Sequence, residues 1–273
     1  MVTAILGLWL ASDLAYGSHA RQRLDLSIPD GKGFPTVVFV HGGSLTSGDK
    51  TDEDYGKVCR AFPAAGIACA SVNYRLASDA GWPAQAEDVA AAVAWIRAHI
   101  EERGGDRERL FLVGHSSGAL LVALVGSDTR YLQRQGLDTK AVAGVVSMGS
   151  ILWDEQAEEA LKTHPHAEVE AAFARSPDHR MFASLDAYLD HWPIRHVRAG
   201  LPPFLFLVAE EEQEHPPVLR TNRTFAERAR ASGNRAEVRV LPHRTHMSAI
   251  RSMSQMGDTA FALVRDFVSK NEP

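Results

Sequence analysis

The chain holds only two cysteines in 273 residues, Cys59 and Cys69. That is too few for the disulfide framework on which small secreted domains depend. The segments around them read as a helix and a strand, which predicts two buried free thiols, a reducing compartment and a cytoplasmic location. Basic residues show no excess, with 29 Lys and Arg against 34 Asp and Glu for a formal net charge of −5. Such a balance offers no electrostatic footing for nucleic acid or an anionic membrane, so neither is expected as a partner. No Lys or Arg precedes Arg21, so the opening MVTAILGLWL lacks the basic region of a signal peptide. Its apolar run is also far shorter than a membrane span. It is read as a terminal segment docked on the fold, the other reading being the remnant of a trimmed leader. Repeats and low-complexity tracts are absent too. What is left is ordinary globular composition, 45% hydrophobic and 23% charged, in enough chain for one sizeable core.

Within that core the pattern alternates. RLDLSI (23–28) and EVRV (237–240) alternate apolar and polar residues, while PTVVFV (35–40), IACASVN (67–73), RLFLV (109–113), VAGVVSM (142–148) and PFLFLV (203–208) are short, mostly apolar and rich in β-branched or aromatic residues. Runs of this kind suit parallel strands buried on both faces. Between them, AQAEDVAAAVAWIRAHI sets Val89, Val93, Ile96 and Ile100 on one helical face, and the closing DTAFALVRDFV does the same with Ala260, Leu263, Val264 and Phe267. The prediction is an α/β fold: a mostly parallel central sheet with helices on both faces, forming a single domain over 1–273. Residues 151–200 break the rhythm, with helical fragments, Trp153, Phe182, Tyr188 and Trp192, and no strand. An insertion there lies above the carboxyl ends of the strands, where ligands of open α/β sheets bind, and is read as a cap or lid with Trp153 on the pocket wall.

The chemistry centres on Gly114-His115-Ser116-Ser117-Gly118, which leaves a strand and opens a helix. This strand-turn-helix setting forces the central serine onto a sharp turn at the top of the sheet, and the glycines allow strand and helix to approach. Ser116 is the candidate nucleophile, and the backbone N–H of Ser117, at the helix start, is a candidate oxyanion donor. A serine hydroxyl needs a base. His246, in LPHRTHMS just past the EVRVL strand, is preferred over His243, which is expected to face solvent. In VFVHGGS, Gly43 and Ser44 are the remaining oxyanion donors, two glycines after a strand being free to turn their N–H groups toward a pocket; His41 reads as a turn-stabilising side chain. No His, Cys or carboxylate group has metal-ligand spacing and no dinucleotide fingerprint appears, so neither metal nor cofactor is expected.

Together AYGSHARQRLDLSIP, FVHGGSLTSGDK, VNYRLASDAGWPAQAEDVAAAVAWIRAHI, LVGHSSGA and VLPHRTHMS make the chain resemble the α/β-hydrolase superfamily, and within it small carboxylesterases of the hormone-sensitive-lipase-like and kynurenine-formamidase-like group. The resemblance implies a serine carboxylesterase acting on small esters through an acyl-enzyme, with an acid in the loop after the next-to-last strand. There VAEEEQEHPP offers Glu210, Glu211, Glu212 and Glu214; counting from the strand selects Glu212, counting back from the next helix Glu214, and Glu212 is preferred. Asp154 is a distant alternative. Two departures stand out: Leu45 where relatives often carry an aromatic, and Ser44 where many have a third glycine, so Leu45 is expected to reshape the pocket wall. An arylformamidase and a catalytically silent ligand-binding homologue are the competing functions. The expected partners are a small-molecule ester and, at most, a second copy of the chain.

Overall fold

The computed structural model describes residues 2–5, 8–213 and 217–271. Among the described residues nine strands form one sheet in the order β1-β2-β3-β5-β4-β6-β7-β8-β9: β1 (Val2–Ile5), β2 (Leu8–Ala15), β3 (Arg23–Ile28), β4 (Phe34–Val40), β5 (Ala68–Val72), β6 (Gly105–His115), β7 (Gly144–Met148), β8 (Phe204–Ala209) and β9 (Ala236–Leu241). From β5 to β9 neighbouring strands run parallel, and β1, β2 and β3 add an antiparallel end. This is the α/β-hydrolase fold. The opening segment, read as a docked terminus, supplies strands that extend the sheet.

The mostly apolar runs are explained by two cores, one on each side. Val38, Leu110, Leu112, Phe204 and Phe206 pack on one face, while Val37, Phe111, Val113, Leu205 and Leu207 pack on the other. Successive side chains of a strand point to opposite faces, so a strand covered on both sides is mostly apolar on both, with only small hydroxyls such as Thr36, Ser71 and Ser147 admitted. The first face is covered by α2 (Ala84–His99), α3 (Ser117–Ser127) and α9 (Val218–Ala231). The second is covered by α1 (Val58–Ala61), α10 (His246–Ser252) and α11 (Thr259–Lys270). The short α4 (Thr129–Arg134) follows α3 directly.

The two cysteines are a correction to the sequence reading. Cys59 of α1 and Cys69 of β5 are joined as a disulfide, with Cα atoms 5.0 Å apart. Helix and strand meet because the turn between them, Phe62–Ala65 ending at Gly66, folds the chain straight back. Linear spacing gave no hint of this contact, and the thiols no longer argue for a reducing compartment. Among the described residues no helix is long and apolar enough to cross a membrane.

Residues 151–200 hold four short helices, α5 (Glu155–Thr163), α6 (His166–Phe173), α7 (His179–Phe182) and α8 (Leu185–Asp190), and no strand. They bury a small core of their own from Phe173, Phe182, Leu185 and Leu189. Trp153, expected on the pocket wall, instead packs against the main core, with the Arg228 guanidinium 4.8 Å from its ring centre. Tyr188 donates its hydroxyl hydrogen to Asp154 at 2.7 Å, and Asp154 caps α5 through Gln156 and Ala157. That bond turns Tyr188 toward the helix start and occupies Asp154 structurally.

Candidate active site

The strand β6 ends at His115 and α3 begins at Ser117, so Ser116 makes the whole turn alone, at φ 55° and ψ −126°. A non-glycine residue in that region costs on the order of 1–3 kcal/mol and persists only where its surroundings enforce it. Two glycines do so. A Cβ on Gly114 would lie 2.3 Å from the Gly118 carbonyl oxygen, and one on Gly118 would lie 2.2 Å from that of Val40. Helix α3 can therefore press onto β4 and β6 only with glycine at both places.

The loop after β4 approaches from the side. Gly43, Ser44 and Leu45 all have positive φ, at 121°, 53° and 62°. A Cβ on Gly43 would meet the Ser47 carbonyl oxygen at 2.1 Å. Ser44 and Leu45 carry side chains in a conformation that glycine adopts more readily, which is where the chain departs from the third glycine of its resemblance. The second serine of the doublet pins this loop: the N–H of Leu45 donates to Ser117 Oγ at 3.3 Å. The N–H groups of Gly43, Ser44 and Ser117 are bonded to no acceptor among the described residues. Of these, Ser44 and Ser117 line one cavity with Ser116, and Gly43 immediately precedes Ser44 in the loop.

His246 is the first residue of α10, after Thr245, which forms a reciprocal capping pair with Ser248. Its Nδ1 lies 2.6 Å from Oε1 of Glu212. A carboxylate only accepts, so Nδ1 carries a proton, and the neutral ring held this way leaves Nε2 bare, the form a general base requires. Glu212 is buried, and its Oε2 accepts the N–H of Ala209 at 2.8 Å. Neighbouring acids are used otherwise: Glu211 accepts the backbone N–H of His246 at 3.1 Å, and Glu210 that of His243 at 2.6 Å. Glu214 lies outside the described residues. Gly149, just past β7, leaves room for the pair, since a Cβ there would fall 2.8 Å from Glu212 Oε1.

Ser116, His246 and Glu212 all line one cavity of about 560 Å³, together with Ser44, Leu45 and Ser117. Met181, Phe182 and Trp192 from residues 151–200 line it as well, while Trp153 and Tyr188 are not among its lining residues. His243 is exposed and pairs with Glu210. His41 is buried, stacks on Tyr74 with ring centres 4.5 Å apart, and its Nδ1–H donates to the Gly42 carbonyl at 2.7 Å. Sequence reasoning assigned no part to His115, Tyr55, Met181 or the Ser117 hydroxyl; of these, His115 and Ser117 stood inside the quoted pentapeptide. Asp128, Asp190 and His196 lie close enough to hold a cation, but the Arg130 guanidinium already bridges both carboxylates.

Residues 24–218 match the family model described as BD-FAE. The chain belongs to the BD-FAE family. This BD-FAE protein is similar to Esterase LipC of Mycobacterium tuberculosis, at 30% identity over 91% of the chain and 62% of that protein. The LipM protein of the same organism, described as a probable carboxylic ester hydrolase, is 28% identical over 92% of the chain and 59% of its own length. The chain thus spans about three fifths of the length of these curated relatives. Among solved structures, a truncated carbohydrate esterase from gut microbiota superposes on the BD-FAE chain with a TM-score of 0.75 at 18% identity, covering 96% of the chain and 95% of that structure. At that identity the likeness is one of fold.

Proposed function

We propose that this chain is a serine carboxylesterase that hydrolyses short-chain acyl esters through a Ser116-His246-Glu212 triad. One observation carries the reading: a strained, elbow-mounted serine shares a cavity with a histidine whose far nitrogen is held by a buried carboxylate. Ser116 Oγ attacks the ester carbonyl while Nε2 of His246 takes its proton. The tetrahedral oxyanion is received by the N–H groups of Gly43, Ser44 and Ser117, and its collapse expels the alcohol, which leaves with the proton from Nε2. Water then attacks the acyl-enzyme, giving a proton to Nε2, and the carboxylic acid departs as Ser116 regains its hydrogen. Glu212 holds the tautomer and stabilises the imidazolium throughout. Residues 151–200 act as a cap, with Met181, Phe182 and Trp192 giving the acyl chain an apolar wall.

Turnover of p-nitrophenyl esters and aryl formamides, compared between the wild type and Ser116→Ala, tests this reading. Ester turnover that depends on Ser116 supports it. A preference for the formamides reassigns the same machinery to deformylation, and binding without turnover of either makes the chain a silent homologue.

A further inference from the structure

A second histidine lies beside Ser116 that acyl transfer leaves unused. His115 is fully buried at the end of β6, its Nε2 3.0 Å from the carbonyl oxygen of His246 and its Nδ1 3.1 Å from the hydroxyl of Tyr55. A carbonyl only accepts, so Nε2 carries the hydrogen, Nδ1 is bare, and the Tyr55 O–H donates to it. Gly42, in the oxyanion loop, packs against the same phenol: a Cβ there would fall 2.6 Å from its oxygen and 2.9 Å from Cβ of Ser116. Two hydrogen bonds therefore run from the phenol that abuts the oxyanion loop, through an imidazole, to the residue that bears the base. On the acyl-transfer reading, we propose that Tyr55 and His115 are positioning residues, a buried relay that holds the Gly42 loop and the His246 end of α10 in register with Ser116.

The relay is anchored where it needs to be. Asp54, next to Tyr55, pairs at 2.6 Å with Arg251 of the helix that His246 opens, and Cys59, four residues on from Tyr55, is bonded to Cys69 of β5. The rings of His115 and His246 have centres 4.5 Å apart. When His246 becomes a cation, a charged neighbour at that distance would oppose it. Burial first, then the proximity of His246, pushes the His115 ring down to about 3, so it stays neutral and keeps one hydrogen-bonding pattern across the working range. A ring needed only to fill space would require neither its nitrogens nor the phenol, whose burial unpaired is costly.

The test measures p-nitrophenyl butyrate hydrolysis by the wild type, Ser116→Ala, Tyr55→Phe, His115→Asn, His115→Gln and the Tyr55→Phe/His115→Asn double variant. Asn keeps an acceptor near the Nδ1 position and loses the donor to His246, whereas the longer Gln restores that donor. Tyr55→Phe and His115→Asn should each lower kcat about tenfold with KM within about twofold. The double variant should lose little more than the worse single one, and His115→Gln should recover most of the Asn loss. Unchanged kcat in Tyr55→Phe, losses carried by KM, or losses that multiply in the double variant would overturn the relay. Ser116→Ala keeps the two failures apart: if it turns over like the wild type, the acyl-transfer reading itself fails; if it is dead while Tyr55→Phe is intact, only the relay does. Should the His115 variants not fold, Tyr55→Phe, which removes one oxygen, decides alone.

Discussion

Glu212 holds His246 by one oxygen and its own strand end by the other: Oε1 lies 2.6 Å from Nδ1 of the imidazole, and Oε2 accepts the N–H of Ala209, the last residue of β8, at 2.8 Å. If that carboxylate sets the tautomer, Glu212→Gln should lower kcat by about 10⁴-fold. Glu210→Gln and Glu211→Gln should cost far less, since their oxygens meet backbone N–H groups outside the imidazole. Steady-state kinetics of the three variants ranks them, and a Glu211 or Glu210 variant with the larger loss would displace Glu212.

Acyl-chain preference follows from the cavity, whose volume is about 560 Å³. Each methylene buried is worth about 0.8 kcal/mol until the space is filled. kcat/KM for p-nitrophenyl esters should rise from acetate to butyrate and fall beyond roughly six acyl carbons, a limit set by pockets of this size class. Phe182→Ala, which opens the wall, should move the peak to longer chains. Efficient hydrolysis of palmitate esters by the wild type would contradict a closed wall.

Folding stability should fall in mild acid. Burial pushes the rings of His41 and His191 down to about 4 and that of His115 to about 3. Below an unfolded value of about 6.5 the unfolded chain binds protons that the folded rings refuse, so stability is fully present above that pH and is lost as pH falls toward 3–4. Each ring should contribute on the order of 1–2 kcal/mol of loss between pH 7 and pH 5. Urea unfolding at the two pH values measures it, and His191→Asn should flatten the slope. Equal stability at both would refute the burial argument.

The Cys59–Cys69 bridge closes a short loop, with a sequence separation of 10. By chain entropy such a loop should contribute about 2–3 kcal/mol. The double variant Cys59→Ala/Cys69→Ala should lose that much in denaturant unfolding, and the wild type should show no titratable thiol until reduced. Two free thiols in the untreated protein would restore the sequence reading.

How far the sequence reaches is clearest from particular residues. Strands β4 to β8 were legible because burial on both faces makes their inner stretches mostly apolar, and Ser116 because two glycines are needed where helix and strand touch. Counting from β8 selects Glu212, whose carboxylate lies 2.6 Å from His246 Nδ1, since a three-residue reach from a strand end leaves little freedom. Contacts made by folding were not legible. The disulfide depends on how tightly Phe62–Ala65 turns, Trp153 packs on the core beneath Arg228 rather than on the cavity wall, and Tyr55 meets His115 across 60 residues of chain. No periodicity encodes a contact of that kind.

The most direct test of the account is covalent. Incubation with a short-chain p-nitrophenyl phosphonate, followed by intact-mass and peptide mass spectrometry, should show one adduct per chain, located on Ser116, in step with complete loss of esterase activity. Ser116→Ala should take up no label and should retain on the order of 10⁻⁶ of the wild-type kcat. An adduct on another residue, or a Ser116→Ala variant that keeps a tenth of the activity, would contradict the assignment of Ser116 as the nucleophile.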